Sequence, residues 1–153
     1  HATAALVEEP AVPLDIRPEV TTCELLDGNR LRFGYQWHCG AEVDAGTRGF
    51  VQFTHPEFGE DGCGSISFRI VSWPETPTEQ WVPGEVYSMP VDEVAIPDWA
   101  GAGTYEVRIG LYNPDKREGP ALLAGRGNYV TAGTLTIERD GDTVTAGRLQ
   151  PAK

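Results

Sequence analysis

The sequence is short of cysteine and of basic residues, and it has no long apolar run and no useful stretch of helical period. Each shortage removes a class of protein. Three cysteines in 153 residues allow at most one internal disulfide, and the odd count is no strong sign of an oxidising compartment. No C-x-x-C or H-x-x-x-H spacing accompanies them, so the motif of a structural zinc site is missing. Twelve Lys and Arg stand against twenty-three Asp and Glu, a net charge of −11. Such a surface repels phosphate backbones and anionic lipid, which makes nucleic acid and membrane surfaces poor partners. No segment approaches the ~20 apolar residues that cross a bilayer, so direct membrane insertion is not expected. A G-x-S-x-G elbow, a phosphate loop and a dinucleotide fingerprint are all absent. Carboxylate pairs arise by chance among twenty-three acidic residues and mark no hydrolase.

What the chain does have is turns and alternation. Eighteen glycines and twelve prolines lie between apolar segments, and 40% hydrophobic residues suffice for the core of one domain. Residues 1–14, with Pro10 and Pro13, read as a flexible lead-in, and 15–150 as one β-sandwich domain. The opening "HATAALVEEPAVP" suits a linker or a processed terminus, of an excised domain or a mature secreted one.

Strands are predicted at 19–26, 30–39, 50–55, 65–72, 84–91, 104–112, 129–138 and 142–149. In "RLRFGYQWHC", Leu31, Phe33, Tyr35 and Trp37 share one face, and Arg32, Gln36 and His38 the other. In "TYEVRIGLY", Tyr105, Val107, Ile109 and Leu111 point inward, and Tyr112 outward. "DGN" at 27–29 is a turn in which Gly28 takes positive φ. Pro90 interrupts 84–91 and places it at a sheet edge. The expectation is an all-β, immunoglobulin-like sandwich of two antiparallel sheets with about seven to nine strands.

The pieces "WVPGE" at 81–85, "GTYEVRIGLYNP" at 103–114 and "AGTLTI" at 132–137, with "LRFGYQW" and "GFVQFTHPE" before them, resemble one type of bacterial β-sandwich. It is the extracytoplasmic tail of membrane glycosyltransferases of the dolichyl-phosphate-mannose type, also found beside other carbohydrate-active modules. The resemblance covers roughly residues 15–138. It implies an immunoglobulin-like sandwich outside the cell or in the cell envelope, attached to neighbouring domains of a parent protein, and without established catalytic residues. "GTYEV" at 103–107 matches a tyrosine corner, but Val107 stands where antibody-type domains carry cysteine. Trp37 suits a buried core tryptophan, and Trp81, before Pro83 and Gly84, a cover for one end of the sandwich.

The expected function is therefore that of a non-catalytic accessory module that contacts polysaccharide or another glycan. The main rival is a structural spacer or protein-interaction domain without a sugar site. Sugar rings stack on exposed aromatics while their hydroxyls need planar polar groups. Trp99, in a Pro/Gly loop, and Trp73, at a strand end, are the platform candidates; Tyr112 and Asn113 could add a polar edge. The competing reading of each is packing under a loop or standing alone on the surface, and single exposed apolar side chains need no function.

Glu57, Glu60 and Asp61 could gather oxygen ligands for calcium, the one cofactor left open, or form a solvated loop. Pairing 30–39 with 49–56 would place Cys23 nearer Cys63 than Cys39, making Cys23–Cys63 the favoured disulfide, with three reduced thiols as the alternative. His1 gives a distant reading: with a second histidine, a free terminal histidine is the copper-binding arrangement of a polysaccharide-active enzyme.

Overall fold

The computed structural model describes residues 12–62 and 64–152. Nine strands form among them: β1 (Ile16–Leu26), β2 (Arg30–Cys39), β3 (Arg48–His55), β4 (Ser65–Ser72), β5 (Val86–Ser88), β6 (Asp92–Ala95), β7 (Gly103–Tyr112), β8 (Tyr129–Asp140) and β9 (Thr143–Pro151). One 3₁₀ turn at Thr78–Gln80 is the only helical element among the described residues.

The strands make two antiparallel sheets. In the first, β1 pairs with β2, whose other edge is shared by β5 and β6; in the second the order is β4-β3-β7-β8-β9. The chain crosses between sheets after β2, β4 and β6, which is the connectivity of an immunoglobulin-like sandwich, with β9 as an added strand. Pro90 breaks one edge strand into β5 and β6: both run antiparallel to β2, and their registers differ by one residue. The strand expected at 84–91 is thus confined to Val86–Ser88, and β6 lies outside every expected strand.

Alternation builds the core. Leu31, Phe33, Tyr35 and Trp37 from β2 meet Val51 and Phe53 from β3 and Tyr105, Val107, Ile109 and Leu111 from β7, all buried. Phe33 sets its edge against Phe53 across the sheets, with centroids 5.6 Å apart, and Phe53 stacks on Phe68 at 4.4 Å. Fully burying a side chain of this size contributes roughly 1.5–3 kcal/mol, so this ring seam is the main cohesive element. The tyrosine corner forms: Tyr105 Oη donates to Gly101 O at 2.7 Å and fixes the entry to β7. Trp81 is buried at one end, stacked 5.0 Å from Tyr87, with Nε1 donating to Thr76 O at 2.8 Å. At the β1–β2 turn Gly28 and Asn29 both take left-handed φ, 80° and 56°. The Asn29 amide reaches the β8–β9 turn, donating to Asp142 O at 2.8 Å and accepting from Val144 N at 2.8 Å.

Two expectations need correction. Strands 30–39 and 49–56 do not pair, because β2 and β3 lie in opposite sheets. The ladder behind a Cys23–Cys63 bridge is therefore absent, although Cys23 does sit opposite Phe33. Cys23 is a free thiol whose pKa burial pushes up to about 11, and Cys63 lies outside the described residues. Cys39 is also free and buried, and its thiol donates to Ala41 O at 3.0 Å. Secondly, the lead-in does not stay detached up to residue 14. Leu14 N donates to Ala121 O and Leu14 O accepts from Leu123 N, each at 2.8 Å, so the start of the domain is tied to the β7–β8 loop.

Candidate functional site

The outer face of the second sheet carries the feature of interest. On β3, Val51 and Phe53 face the core, so Arg48, Phe50 and Gln52 project from the opposite face. Register aligns them with neighbours on both sides. One rung is Val71–Phe50–Gly110–Tyr129, and the next is Arg69–Gln52–Arg108–Thr131. On the other side of the aromatic rung, Arg48 faces Tyr112 across β3–β7.

Phe50 is buried yet outside the core cluster, because its ring lies against β7 at Gly110. A Cβ at Gly110 would collide with that ring and with the Asn128 carbonyl oxygen, so glycine is needed for the close approach. Phe50, Tyr112 and Tyr129, with Gln52, Asn128, Arg48 and Arg69 around them, enclose an open groove of about 470 Å³.

The charges here are unevenly engaged. Arg69 pairs with Glu60. Arg108 donates through Nε to Glu106 Oε1 at 2.9 Å, and its guanidinium lies 4.7 Å over the Tyr129 ring. Partial burial pushes the Glu106 carboxyl up, but hydrogen bonds from Thr131 and Arg108, with the Arg108 charge, outweigh it and hold the group below its ordinary range. Arg48 lies 4.2 Å over the Trp73 ring, makes no ion pair among the described residues, and has a buried Nε without a hydrogen-bond partner. The Gln52 amide, also lining the groove, has no side-chain partner among the described residues.

The structure thus brings two expected residues together through a third that the sequence did not single out. Trp73, 53% exposed, and Tyr112, 37% exposed, flank Arg48 at one end of the groove. Trp99 is equally exposed, at 53%, but stands elsewhere. Its Nε1 donates to Ser67 O at 2.9 Å, at the β4 bulge on the open edge of the sheet. Ser67 and Ser72, next to Trp73, are five residues apart on β4, about 17 Å of extended chain, so the two indoles share no platform. Asn113 is only 4% exposed. Its amide donates to Ala45 O at 3.0 Å and accepts from Asp115 N at 3.0 Å, which uses it to shape the loop and corrects its placement at a ligand edge.

Sequence reasoning missed Phe50, Tyr129, Gln52 and Arg48. Their signal was present: in "RGFVQF" the second, outward-facing set is itself aromatic and amphipathic, as the face of a buried strand would be. Around the acidic loop, Glu57 is exposed and Glu60 is engaged by Arg69. Among the described residues, no group of three or more His, Cys, Asp or Glu is placed to hold a metal ion. His1 lies outside the described residues. No protein-family model matches the chain, and no curated protein or solved structure is significantly similar to it.

Proposed function

We propose that this chain is a non-catalytic carbohydrate-binding module of a larger or secreted cell-envelope protein, and that it holds a glycan along the outer face of β3, β4, β7 and β8. The observation that carries the reading is the groove of Tyr129 and Tyr112 over the buried Phe50, bordered by planar polar groups, with Arg48 linking it to Trp73 in the neighbouring hollow. An apolar floor with a few convergent polar side chains is the usual composition of a small-ligand groove. The flat rings suit the C–H faces of sugars; the Gln52 amide and the Arg48 guanidinium suit hydroxyl and ring oxygens. The sequence resemblance to modules attached to carbohydrate-active proteins supports the same reading by analogy, and it is the basis for placing the module in the envelope or outside the cell.

A polysaccharide array probed with the native chain, Tyr112→Ala, Trp73→Ala and Trp99→Ala tests it. Native and Trp99→Ala proteins are expected to bind, and Tyr112→Ala and Trp73→Ala to weaken binding on the order of tenfold. In the Trp99→Ala protein, glycan should also change the emission of half-exposed Trp73, since the remaining Trp37 and Trp81 are buried. A blank array with unchanged fluorescence would leave the spacer or protein-interaction domain as the better reading.

A further inference from the structure

We infer that the groove selects a carboxylated polysaccharide, one built with uronic acid residues, and that Arg48 receives the carboxylate. This rests on the carbohydrate reading and adds the charge class of the ligand. The whole chain carries −11, yet the groove is lined by Arg48 and Arg69, with Arg108 in the next rung, against two carboxylates, Glu60 and Glu106. Each carboxylate is already held by one arginine, Glu60 by Arg69 and Glu106 by Arg108. Arg48 is left as the surplus cation of the groove. Glu79 lies beyond Trp73 in the neighbouring hollow and makes no ion pair with Arg48, so within the groove itself the guanidinium favours an anionic ligand.

The state of Arg48 sharpens the point. Its guanidinium carbon sits 4.2 Å from the centre of the Trp73 ring, a contact that holds the side chain without using its N–H donors. Its Nε is already shielded from solvent without a partner. The terminal Nη groups, which face the groove and make no ion pair among the described residues, are the donors left for a ligand carboxylate, and they match it in a bidentate contact. Neutral sugar hydroxyls would satisfy them only in part. On the same face, the Gln52 rung lies four residues along β3 from Arg48, about 13 Å. That length accommodates a short oligosaccharide, with its acid group at the Arg48 end and ring faces on Tyr112 and Tyr129, above the buried Phe50.

Titration calorimetry of the full chain against polygalacturonate, its fully methyl-esterified form and a neutral glucan provides the test, with tryptophan emission as a second readout. Polygalacturonate should bind, with affinity falling as salt is raised, and the ester and the glucan should bind on the order of tenfold more weakly. Arg48→Gln should bring polygalacturonate down to the level of its ester, with Arg48→Lys between. Equal, salt-insensitive binding of all three polymers, unchanged in Arg48→Gln, would overturn the acid preference and leave the carbohydrate reading standing. Failure of all three to bind the native chain, together with a blank array, would remove both. The ester comparison uses the native chain alone, so it decides even if an Arg48 variant folds poorly.

Discussion

The two outer faces of this sandwich are built from the same alternation and both carry ion pairs, but only the second also holds an aromatic strip. On the first sheet the polar side chains are spent on one another: Arg30 on Glu93, Arg32 on Glu24 and Glu93, and His38 and Gln36 on Glu19. On the second sheet the corresponding positions hold Phe50, Tyr129 and Tyr112, and Arg48 is left unpaired. Exposed ion pairs of the first kind contribute little to stability and serve mainly to keep a sheet face solvated. A face that keeps aromatic surface beside an arginine without an ion pair is the one on which the proposed glycan site rests. The lesson is to judge a surface by what its polar groups are already bonded to, not by exposure alone.

The strongest way to break this comparison is through a matched pair of glycines, one on each outer face. Gly110 in β7 has the Asn128 carbonyl and the Phe50 ring in the space a Cβ would occupy, and backbone cannot turn aside. Gly34 in β2 meets only side-chain atoms, Val91 Cγ2 at 3.0 Å and Thr21 Oγ1 at 3.4 Å, which can shift by a few tenths of an ångström. Gly110→Ala should cost about 1–3 kcal/mol in urea denaturation and lower glycan affinity by lifting the floor of the groove. Gly34→Ala should cost less than about 1 kcal/mol and leave binding intact. Equal losses in both variants would mean that Phe50 does not depend on Gly110.

A smaller effect separates the two half-exposed indoles. Trp99→Phe removes the hydrogen bond to Ser67 O and should lower stability by about 1 kcal/mol, with binding unchanged. Trp73→Phe keeps a ring for Arg48 and should leave thermal stability where it is. If Trp73→Phe proved the more destabilising of the two, the division between an edge cover and a ligand platform would be reversed.

Much of the scaffold was legible in the sequence because alternation is a local signal. Leu31 to Trp37 and Tyr105 to Leu111 each announce an inward face, "GTYEV" announces the tyrosine corner, and Pro90 announces an interrupted edge. Alternation assigns a face, however, and not a partner. That is why β2 and β3, adjacent in the chain and both aromatic, could be read as paired when they face each other across the core. The site was legible only in part for the same reason. Trp73 and Tyr112 could be picked out as exposed aromatics, but Arg48 matters through a ring 25 positions away and a register partner 64 positions away. Asn113 and Trp99 show the converse, since a polar or aromatic residue in a loop can be consumed by the loop itself.

The smallest expected effect uses one carboxylate from each face. Glu19 lies on the first sheet, where hydrogen bonds from His38 and Gln36 hold its carboxyl below the ordinary range. Glu106 is lowered on the second by Thr131 and Arg108 against the opposing effect of burial. For both, the folded state binds its proton less readily than the unfolded chain. The stability each contributes is complete above the ordinary carboxylate pKa and is lost as pH falls through the lower folded value. Glu106 is partly sheltered and Glu19 is open to solvent and salt, so the two should differ in weight. Melting temperatures followed from about pH 6 down to about pH 3 should fall less steeply in Glu106→Gln than in the native chain, with Glu19→Gln close to native. At neutral pH, Glu106→Gln also frees Arg108 from its ion pair, which should strengthen binding of polygalacturonate without strengthening that of its methyl ester. Identical acid limbs and an unchanged preference between the two polymers would show that the Glu106–Arg108 pair is as idle as the pairs on the opposite face.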